Sequence, residues 1–169
     1  MPTDHDAALS ALDTFKIELP SWGFADTGTR FGKFFQPAAA ATTDEKFHDA
    51  GLVNELTGCC PTVAVHVLWD FDMDKPAAEA GRETAELAGK HGVKVGSINP
   101  NVFQDQQYKL GSFCSPDEAA RRSAVEHCLY SCELMAATGS GLLSMWLADG
   151  TNYPGQDNLT QRKRRLETG

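Results

Sequence analysis

The sequence lacks the features that mark membrane or secreted proteins. It contains no run of about 18 apolar residues, the length that a membrane-spanning helix needs. The N-terminus carries Asp4, His5 and Asp6 in place of the basic segment and apolar core of a secretory signal. The five cysteines form an odd set in a chain without such a signal. This combination predicts reduced thiols and a cytoplasmic protein.

Basic residues are also scarce. The chain has 15 lysines and arginines against 23 aspartates and glutamates, and its net charge is −8. A surface with this acidic excess repels phosphate backbones, so nucleic acid is not an expected partner, and neither is a membrane. The basic run Arg162–Arg165 is an exception, and it favours a solvated helix face over a nucleic-acid contact.

The segment of residues 1–61 shows no regular alternation of strand and helix patterns. One helix is predicted over Ala7–Thr14. A second is predicted over Asp44–Leu56, because Thr42 and Glu45 have the spacing of a capping box. We therefore predict an N-terminal extension of helical and irregular structure over this segment.

Strand and helix patterns alternate over residues 62–169. The predicted strands are Val63–Trp69, Val93–Ile98 and Leu142–Leu147, and the predicted helices are Pro76–His91, Pro116–Thr138 and Asn158–Leu166. In the second of these helices, Ser115 and Glu118 have capping-box spacing and Pro116 suits the first helical position. The alternation predicts an α/β fold in which right-handed crossovers join three parallel strands.

Four of the cysteines occur in pairs, and neither pair indicates a metal site. Cys128 and Cys132 share an apolar helical stripe with Met135, which favours small core residues over metal ligands. The neighbouring residues Cys59 and Cys60 lack CxxC spacing, so neither zinc binding nor redox chemistry is indicated.

Polar and aromatic residues follow the C-terminal ends of the predicted strands, where functional groups collect in parallel sheets. His66 faces the same side as Ala64 and allows two interpretations: a buried neutral histidine with hydrogen-bond partners, or a proton-transfer group. Trp146 is either a core residue or a platform for the apolar face of a sugar. The many neutral donors and acceptors at these ends suit a polyhydroxylated substrate. Position alone suggests three further substrate contacts: Asp70, Asn101 and Asp149.

Five segments have distinctive sequences. They are ELPSWGFA at 18–25, TGTRFGKF at 27–34, TGCCPTVAVHVLWD at 57–70, INPNVFQD at 98–105 and SMWLADGTNYPGQ at 144–156. Together they resemble bacterial L-rhamnose isomerases of the broad-specificity kind that also interconvert D-allose and D-psicose. The resemblance extends from about residue 15 to residue 166.

The resemblance implies a xylose-isomerase-like TIM barrel that interconverts aldoses and ketoses. It further implies hydrogen transfer between C1 and C2 assisted by divalent cations (Mn²⁺, Co²⁺ or Mg²⁺), a small-molecule aldose or ketose as substrate, and a homotetramer. By position, His66 matches a catalytic histidine linked to sugar ring opening. Trp22 and Trp146 match aromatic residues that line the sugar pocket, and Phe31 matches one that enters a neighbouring subunit's site.

The chain is too short for the whole barrel that this resemblance implies. Such barrels need roughly 250 residues, and the chain has 169. The family's metal ligands lie on later strands, so no metal ligand is assigned. We therefore expect residues 62–169 to be the N-terminal part of a TIM barrel, inactive alone. The alternatives are a non-catalytic sugar-binding or assembly subunit, or another xylose-isomerase-like isomerase or epimerase.

Overall fold

The computed structural model describes residues 5–26, 35–149, 155 and 157–168. Its helices are α1 His5–Thr14, α2 Thr43–Thr57, α3 Val67–Asp70, α4 Ala77–Lys90, α5 Glu118–Thr138 and α6 Leu159–Thr168, and its strands are β1 Glu18–Pro20, β2 Thr62–His66, β3 Lys94–Asn99 and β4 Leu142–Leu143. The strands form one parallel sheet in the order β1-β2-β3-β4. The fold is therefore α/β, and a four-stranded parallel sheet of this kind is compatible with part of an α/β barrel.

The sheet has one strand more than the three predicted. The additional strand, β1, pairs with β2, and Leu19 lies opposite Val63. Sequence patterning missed it because it is only three residues long and ends in a proline. Proline is tolerated there because β1 is an edge strand. The boundary predicted after residue 61 stays a prediction, and the first segment contributes β1 to the same sheet as β2.

Strand β2 ends earlier than predicted. The expected strand ran to Trp69, but the extended backbone stops at His66, and the helical turn α3 follows. His66 is therefore the last strand residue and lies next to Asn99, the last residue of β3. Strand β4 is also shorter than predicted, ending at Leu143.

The caps of two helices test the local predictions. The capping box of α2 is confirmed: Glu45 N donates to Thr42 Oγ1 at 3.2 Å and Thr42 N donates to Glu45 Oε2 at 3.0 Å. The cap predicted for α5 was wrong, because the helix begins at Glu118 and its N-cap is Asp117, which accepts from Ala119 N at 2.9 Å. An aspartate satisfies the free N–H groups of a first turn as well as a serine does.

The apolar stripe predicted along α5 was only partly right. Met135 packs against the main core, but Cys132 and Leu129 are exposed, and Cys128 is half-buried. The fully buried positions of α5 are instead small or lie on an adjacent face: Ala120, Ala124, Ser131 and Leu134. Among the described helices, none is both long and apolar enough to cross a membrane.

The two faces of the sheet differ in chemistry. One face packs against the helices and forms the main core, which includes Phe47, Val63, Val65, Ile98 and Leu134. Because side chains alternate along a strand, the registered residues of the other face are Glu18, Pro20, Thr62, Ala64, His66, Lys94 and Asn99. This second face is polar or small, and it ends at His66.

A β-bulge in β3 makes room for a carboxylate on the polar face. Gly96 and Ser97 together oppose Ala64. Glu18 accepts hydrogen bonds from Ser97 N at 2.7 Å and from Ser97 Oγ at 2.5 Å. A Cβ atom on Gly96 would lie 1.7 Å from Glu18 Oε1. An alanine at this position would therefore displace the Glu18 carboxylate from its place beside Ser97, and sequence analysis assigned neither Gly96 nor Glu18 a role.

The backbone of α2 at Gly51 lies close to the backbone at the end of α4. A Cβ atom there would lie 2.2 Å from the carbonyl oxygen of His91, and a backbone oxygen cannot rotate away. We expect Gly51→Ala to lower the free energy of unfolding by about 1–3 kcal/mol through overpacking, measured by urea denaturation.

Gly89 is the matched control for this substitution. It lies in α4 and is exposed, and apart from its chain neighbours and its own helix backbone no atom of the described residues lies within 4 Å of its ideal Cβ position. Gly89→Ala should therefore raise stability by about 0.5–1 kcal/mol, the ordinary helix preference for alanine. Equal effects of the two substitutions would contradict the close helix contact.

Candidate functional site

An aromatic cluster lies where β2 and β3 end. His66 stacks on Trp69 with ring centroids 3.6 Å apart and an interplanar angle of 15°. Trp22 contacts both rings edge-on, at 6.4 Å from His66 and 6.3 Å from Trp69. Phe103 lies 6.2 Å from His66 and Trp146 lies 4.5 Å from Phe103. We call these five residues the aromatic cluster.

His66 is the polar centre of this cluster. The residue is 3% exposed, and both of its ring nitrogens are buried without a hydrogen-bond partner among the described residues. Burial lowers the pKa of His66 to about 3, and the charges of His127 and Lys46 add to this effect. The imidazole is therefore neutral at physiological pH, with one donor and one acceptor nitrogen unsatisfied.

Unsatisfied buried polar atoms are rare, and each costs about 1–3 kcal/mol. Of the two interpretations open for His66 in the sequence, the structure supports burial but not internal hydrogen bonding. The ring therefore keeps one donor and one acceptor nitrogen that no described residue uses. This is the main chemical feature of the site.

Asp70 lies next to the backbone of His66 in a buried polar cluster. Its Oδ2 atom accepts from Ser21 Oγ at 2.5 Å and from the backbone N of His66 at 2.7 Å. Its Oδ1 atom accepts from Lys46 Nζ at 2.8 Å, and the Asp70 side chain is 0% exposed. Both carboxylate oxygens are thus occupied by protein donors, and the structure places Asp70 behind the aromatic cluster.

Lys46 is a site residue that sequence analysis missed. It lies on α2 and is only 6% exposed, and its ammonium also donates to the carbonyl oxygen of Trp69 at 3.0 Å. A buried lysine is rare unless it is paired. The polar cluster of Ser21, Lys46 and Asp70 therefore ties α2 to the segments that carry Trp22, His66 and Trp69.

Asn101 shapes the loop that follows β3. Its Oδ1 accepts from Gln104 N at 3.1 Å, and its Nδ2 donates to Gln104 Oε1. Its backbone N donates to His127 Nε2 at 2.9 Å. Burial lowers the pKa of His127, which keeps that nitrogen available as an acceptor. The side chain of Asn101 is thus committed to the loop that positions Phe103.

Asp149 occupies a separate polar pocket. Its carboxylate accepts from Ser112 N at 2.8 Å, Ser112 Oγ at 2.5 Å and Cys114 N at 2.7 Å. Although burial raises the pKa of Asp149, the hydrogen bonds from Ser112 and Cys114 outweigh it, and the pKa lies below its ordinary value. Arg162 on α6 donates to the carbonyl oxygen of Asp149. Asp149 therefore anchors the segment that follows Trp146.

The predicted site residues thus fall into two groups. Trp22 and His66 are in the aromatic cluster, and Trp146 joins it through Phe103. Asp70, Asn101 and Asp149 are 4–8% exposed, with side chains engaged by the protein. Phe31 lies outside the described residues. Sequence analysis did not assign two members of the cluster. Trp69 was expected to be the last residue of a strand, and Phe103 lies in a loop that has no regular pattern.

The described residues do not fit a divalent metal. Within them, no group of three or more His, Cys, Asp or Glu side chains is placed to hold a metal ion. The buried carboxylates that lie nearest the strand ends, Asp70 and Asp149, already accept hydrogen bonds on both oxygens. These carboxylates are therefore not available as the oxygen ligands that Mg²⁺ or Mn²⁺ prefer.

Comparison with known proteins gives three informative relatives. The chain is 34% identical over 167 residues to a probable sugar isomerase of Rhizobium meliloti, covering 96% of the chain and 37% of that protein. It is 35% identical over 167 residues to a probable sugar isomerase of Mesorhizobium japonicum, covering 95% of the chain and 37% of that protein. An L-rhamnose isomerase of Pectobacterium carotovorum subsp. carotovorum is 28% identical over 186 residues, covering 96% of the chain and 44% of that protein. No family model matches.

The coverage of these relatives is asymmetric. Almost the whole chain aligns, but it spans about 37% of the length of the two probable sugar isomerases. Identity is higher to those two proteins than to the L-rhamnose isomerase. The similarities therefore support a relationship with the sugar isomerases, of which this chain matches a part.

Proposed function

We propose that the chain forms the N-terminal part of a metal-dependent aldose–ketose isomerase that interconverts L-rhamnose and L-rhamnulose. D-Allose and D-psicose are proposed as further substrates, and a cytoplasmic homotetramer is proposed for the complete protein. The observation that carries the proposal is His66: a neutral, buried imidazole whose two nitrogens have no partner among the described residues, surrounded by aromatic rings at the C-terminal ends of parallel strands.

The aromatic cluster suits a sugar for physical reasons. Aromatic faces pack against the apolar C–H faces of a pyranose, while a few polar groups bind its hydroxyls. Trp146 is 55% exposed and lies at the outer end of the cluster. Because the nitrogens of His66 are buried, a ligand reaches them only when a covering aromatic side chain moves.

A neutral His66 can assist ring opening of the sugar. One ring nitrogen accepts the proton of the anomeric hydroxyl while the other gives its proton to the ring oxygen as the bond from C1 to that oxygen breaks, so the imidazole is neutral before and after the step. The stacked Trp69 and the polar cluster hold the imidazole in place. Asp70 supports the His66 backbone and does not contact its ring nitrogens.

The hydrogen transfer between C1 and C2 is proposed to depend on divalent cations because the sequence resemblance implies a metal-dependent isomerase. When bound, such ions polarise substrate oxygens as Lewis acids. The described residues do not fit a metal site, as shown above. No step by this chain's residues is therefore assigned through the ion.

Activity of the isolated chain is the first test. We expect the purified 169-residue protein to produce no L-rhamnulose from L-rhamnose in the presence of Mn²⁺, because its described residues lack a di-metal site. The assay is separation of the two sugars by liquid chromatography. Turnover above a protein-free control would contradict this expectation.

The proposed role of His66 requires a second test, in the complete protein encoded by the reading frame that contains this sequence. His66→Gln should reduce kcat for L-rhamnose by about 100-fold or more, the usual contribution of a positioned proton-transfer group. His48→Gln is the matched control, since His48 is an exposed histidine on α2 and should leave kcat unchanged. Sugar binding without any isomerisation by the complete protein would instead support a sugar-binding subunit.

A further inference from the structure

Cys59 and Cys60 form a dithiol pair remote from the aromatic cluster. They lie in the loop between α2 and β2, at the opposite end of β2 from His66. Their sulfur atoms are 3.6 Å apart. Cys59 is partly exposed and Cys60 is buried. Sequence spacing gave no reason to assign the pair a role, but the distance between the sulfurs does.

The separation of the sulfurs matches the bite of a single bridging atom. Two sulfurs bound at about 2.3 Å to one atom lie about 3.3 Å apart at a bond angle of about 90° and about 3.8 Å apart at a tetrahedral angle, so the observed 3.6 Å also fits the pyramidal geometry of trivalent arsenic. A direct disulfide is less suitable, because neighbouring Cα atoms across a trans peptide are about 3.8 Å apart and disulfides usually need about 4.4–6.8 Å. The pair is therefore better arranged to chelate one atom than to oxidise.

Hydrogen bonds hold the backbone of the dithiol loop on both sides. Ile17 N donates to the carbonyl oxygen of Cys59 at 2.8 Å, and Cys60 N donates to Asn54 Oδ1 at 3.0 Å. Lys16 Nζ donates to the carbonyl oxygen of Gly58 at 2.9 Å. These contacts fix the backbone of both cysteines, so that little conformational entropy of the loop is lost when a bidentate ligand binds.

Cys59 is the more reactive member of the pair. A hydrogen bond with the Thr57 side chain lowers the pKa of the Cys59 thiol, and the Cys60 sulfur and the Lys16 charge lower it further. The thiolate is the nucleophilic form of cysteine. An electrophile therefore meets Cys59 first, and Cys60 lies within reach to complete a chelate.

The bound atom must need only two sulfur ligands from the protein. Among the described residues, no third metal-ligating side chain joins the pair, whereas protein zinc sites need three or four ligands. Trivalent arsenic forms three bonds, and in a monosubstituted arsenic compound one of them is to carbon. Two thiols therefore complete its bonding. Sulfur is also a soft ligand, suited to such a thiophilic centre.

We propose that Cys59 and Cys60 form a bidentate binding site for monosubstituted trivalent arsenicals. In the reaction with an arsine oxide, two arsenic–sulfur bonds form and the arsenic–oxygen bond is lost. The two thiol protons leave with that oxygen as one water molecule. Arsenic remains trivalent and both sulfurs remain at the thiol oxidation level, so no oxidant or reductant is needed.

Phenylarsine oxide is the probe for this site. We expect intact mass spectrometry of the chain to show an adduct of one phenylarsenic group with the loss of two protons. The adduct should persist in excess monothiol and disappear with a small 1,2-dithiol, since chelation raises affinity by about 100-fold or more over a single thiol. Absence of such an adduct on the unmodified chain would overturn the proposal.

Cysteine variants locate the adduct. Cys59→Ser and Cys60→Ser should each abolish the form that resists monothiol. The double variant Cys128→Ser/Cys132→Ser is the matched control, because it removes the other cysteine pair, at i and i+4 on α5, one of them exposed. Retention of the adduct in Cys59→Ser, or its loss in the α5 variant, would refute the assignment. Cys59 is partly exposed, so Cys59→Ser should keep the urea midpoint of the parent chain.

Discussion

Replacing Asp70 with asparagine should lower the free energy of unfolding by about 3–5 kcal/mol. The substitution leaves the ammonium of Lys46 buried without its counter-charge, 2.8 Å from the mutated side chain. It also replaces one of the two carboxylate oxygens that accept from Ser21, His66 and Lys46. Urea denaturation followed by circular dichroism measures the loss.

Asp72→Asn is the matched control for this prediction. Asp72 is two residues away, its side chain is 50% exposed, and it lies 3.9 Å from the lysine with which it pairs, Lys75. Exposed ion pairs contribute about 0–1 kcal/mol, so its removal should be nearly neutral. A loss of less than 1 kcal/mol in Asp70→Asn would show that the polar cluster is not a stabilising element.

A double variant separates the destabilisation caused by an unpaired buried charge from that caused by unsatisfied hydrogen-bond donors. Lys46→Met/Asp70→Leu removes both charges and keeps apolar side chains at both positions. Since replacing a buried ion pair as a whole is often neutral or stabilising, the double variant should recover much of the stability lost in Asp70→Asn. If the double variant is as unstable as Asp70→Asn, the loss comes from the unsatisfied donors of Ser21 and the His66 backbone.

The second large effect concerns pH. We expect His66 to cost the chain about 3 kcal/mol of stability between pH 7 and pH 4. The folded-state pKa of His66 is about 3 because the ring is buried, whereas an exposed histidine titrates near pH 6.5. Between these values the unfolded chain binds more protons than the folded chain. His66 therefore does not lower the free energy of unfolding above about pH 6.5, and it lowers this free energy progressively as the pH falls from 6.5 toward 3.

His66→Phe isolates this contribution. Phenylalanine keeps an aromatic ring beside Trp69 but does not titrate. Carboxylates titrate in both proteins, so their effect cancels when the two stability profiles are subtracted. The difference between them should change by about 3 kcal/mol over this range. Parallel profiles for the parent and His66→Phe would show that His66 is not buried as a neutral ring.

His48→Gln controls for the loss of any histidine. The side chain of His48 is 66% exposed and lies outside the aromatic cluster, so His48→Gln leaves His66 and its surroundings unchanged. This variant should therefore show the same pH-dependent difference from His66→Phe as the parent chain. Denaturation by urea at half-unit pH intervals provides all three profiles.

Local patterns predicted much of the secondary structure. The capping box of Thr42 and Glu45 gave the start of α2 to within one residue, because the hydrogen bonds that define it connect residues three apart. The β-branched run before His66 gave β2, but not its end, because Val67, Leu68 and Trp69 also fit one turn of helix. β1 escaped detection because a three-residue edge strand carries almost no pattern of its own.

The site divides in the same way. From the sequence, His66 lay inside a predicted strand and its role stayed open between a buried residue and a proton-transfer group. Trp146 stayed open in the same way between a core residue and a platform for the apolar face of a sugar. Asp70 looked like a substrate contact because position at a strand end does not reveal what occupies a carboxylate. Its partners Lys46 and Ser21 lie 24 and 49 residues away, a separation that no local pattern crosses.

Sequence alone determined the α/β alternation and the sugar-isomerase resemblance, and it singled out His66 as a candidate whose role stayed open. Each depends on residue types at short spacing, or on segments that can be matched without coordinates. Tertiary structure decided that both His66 nitrogens lack partners among the described residues and that Asp70, Asn101 and Asp149 are already engaged. It also decided that the sulfurs of Cys59 and Cys60 lie within the reach of one atom. These properties depend on distances between atoms after packing, and side-chain spacing along the chain does not specify them.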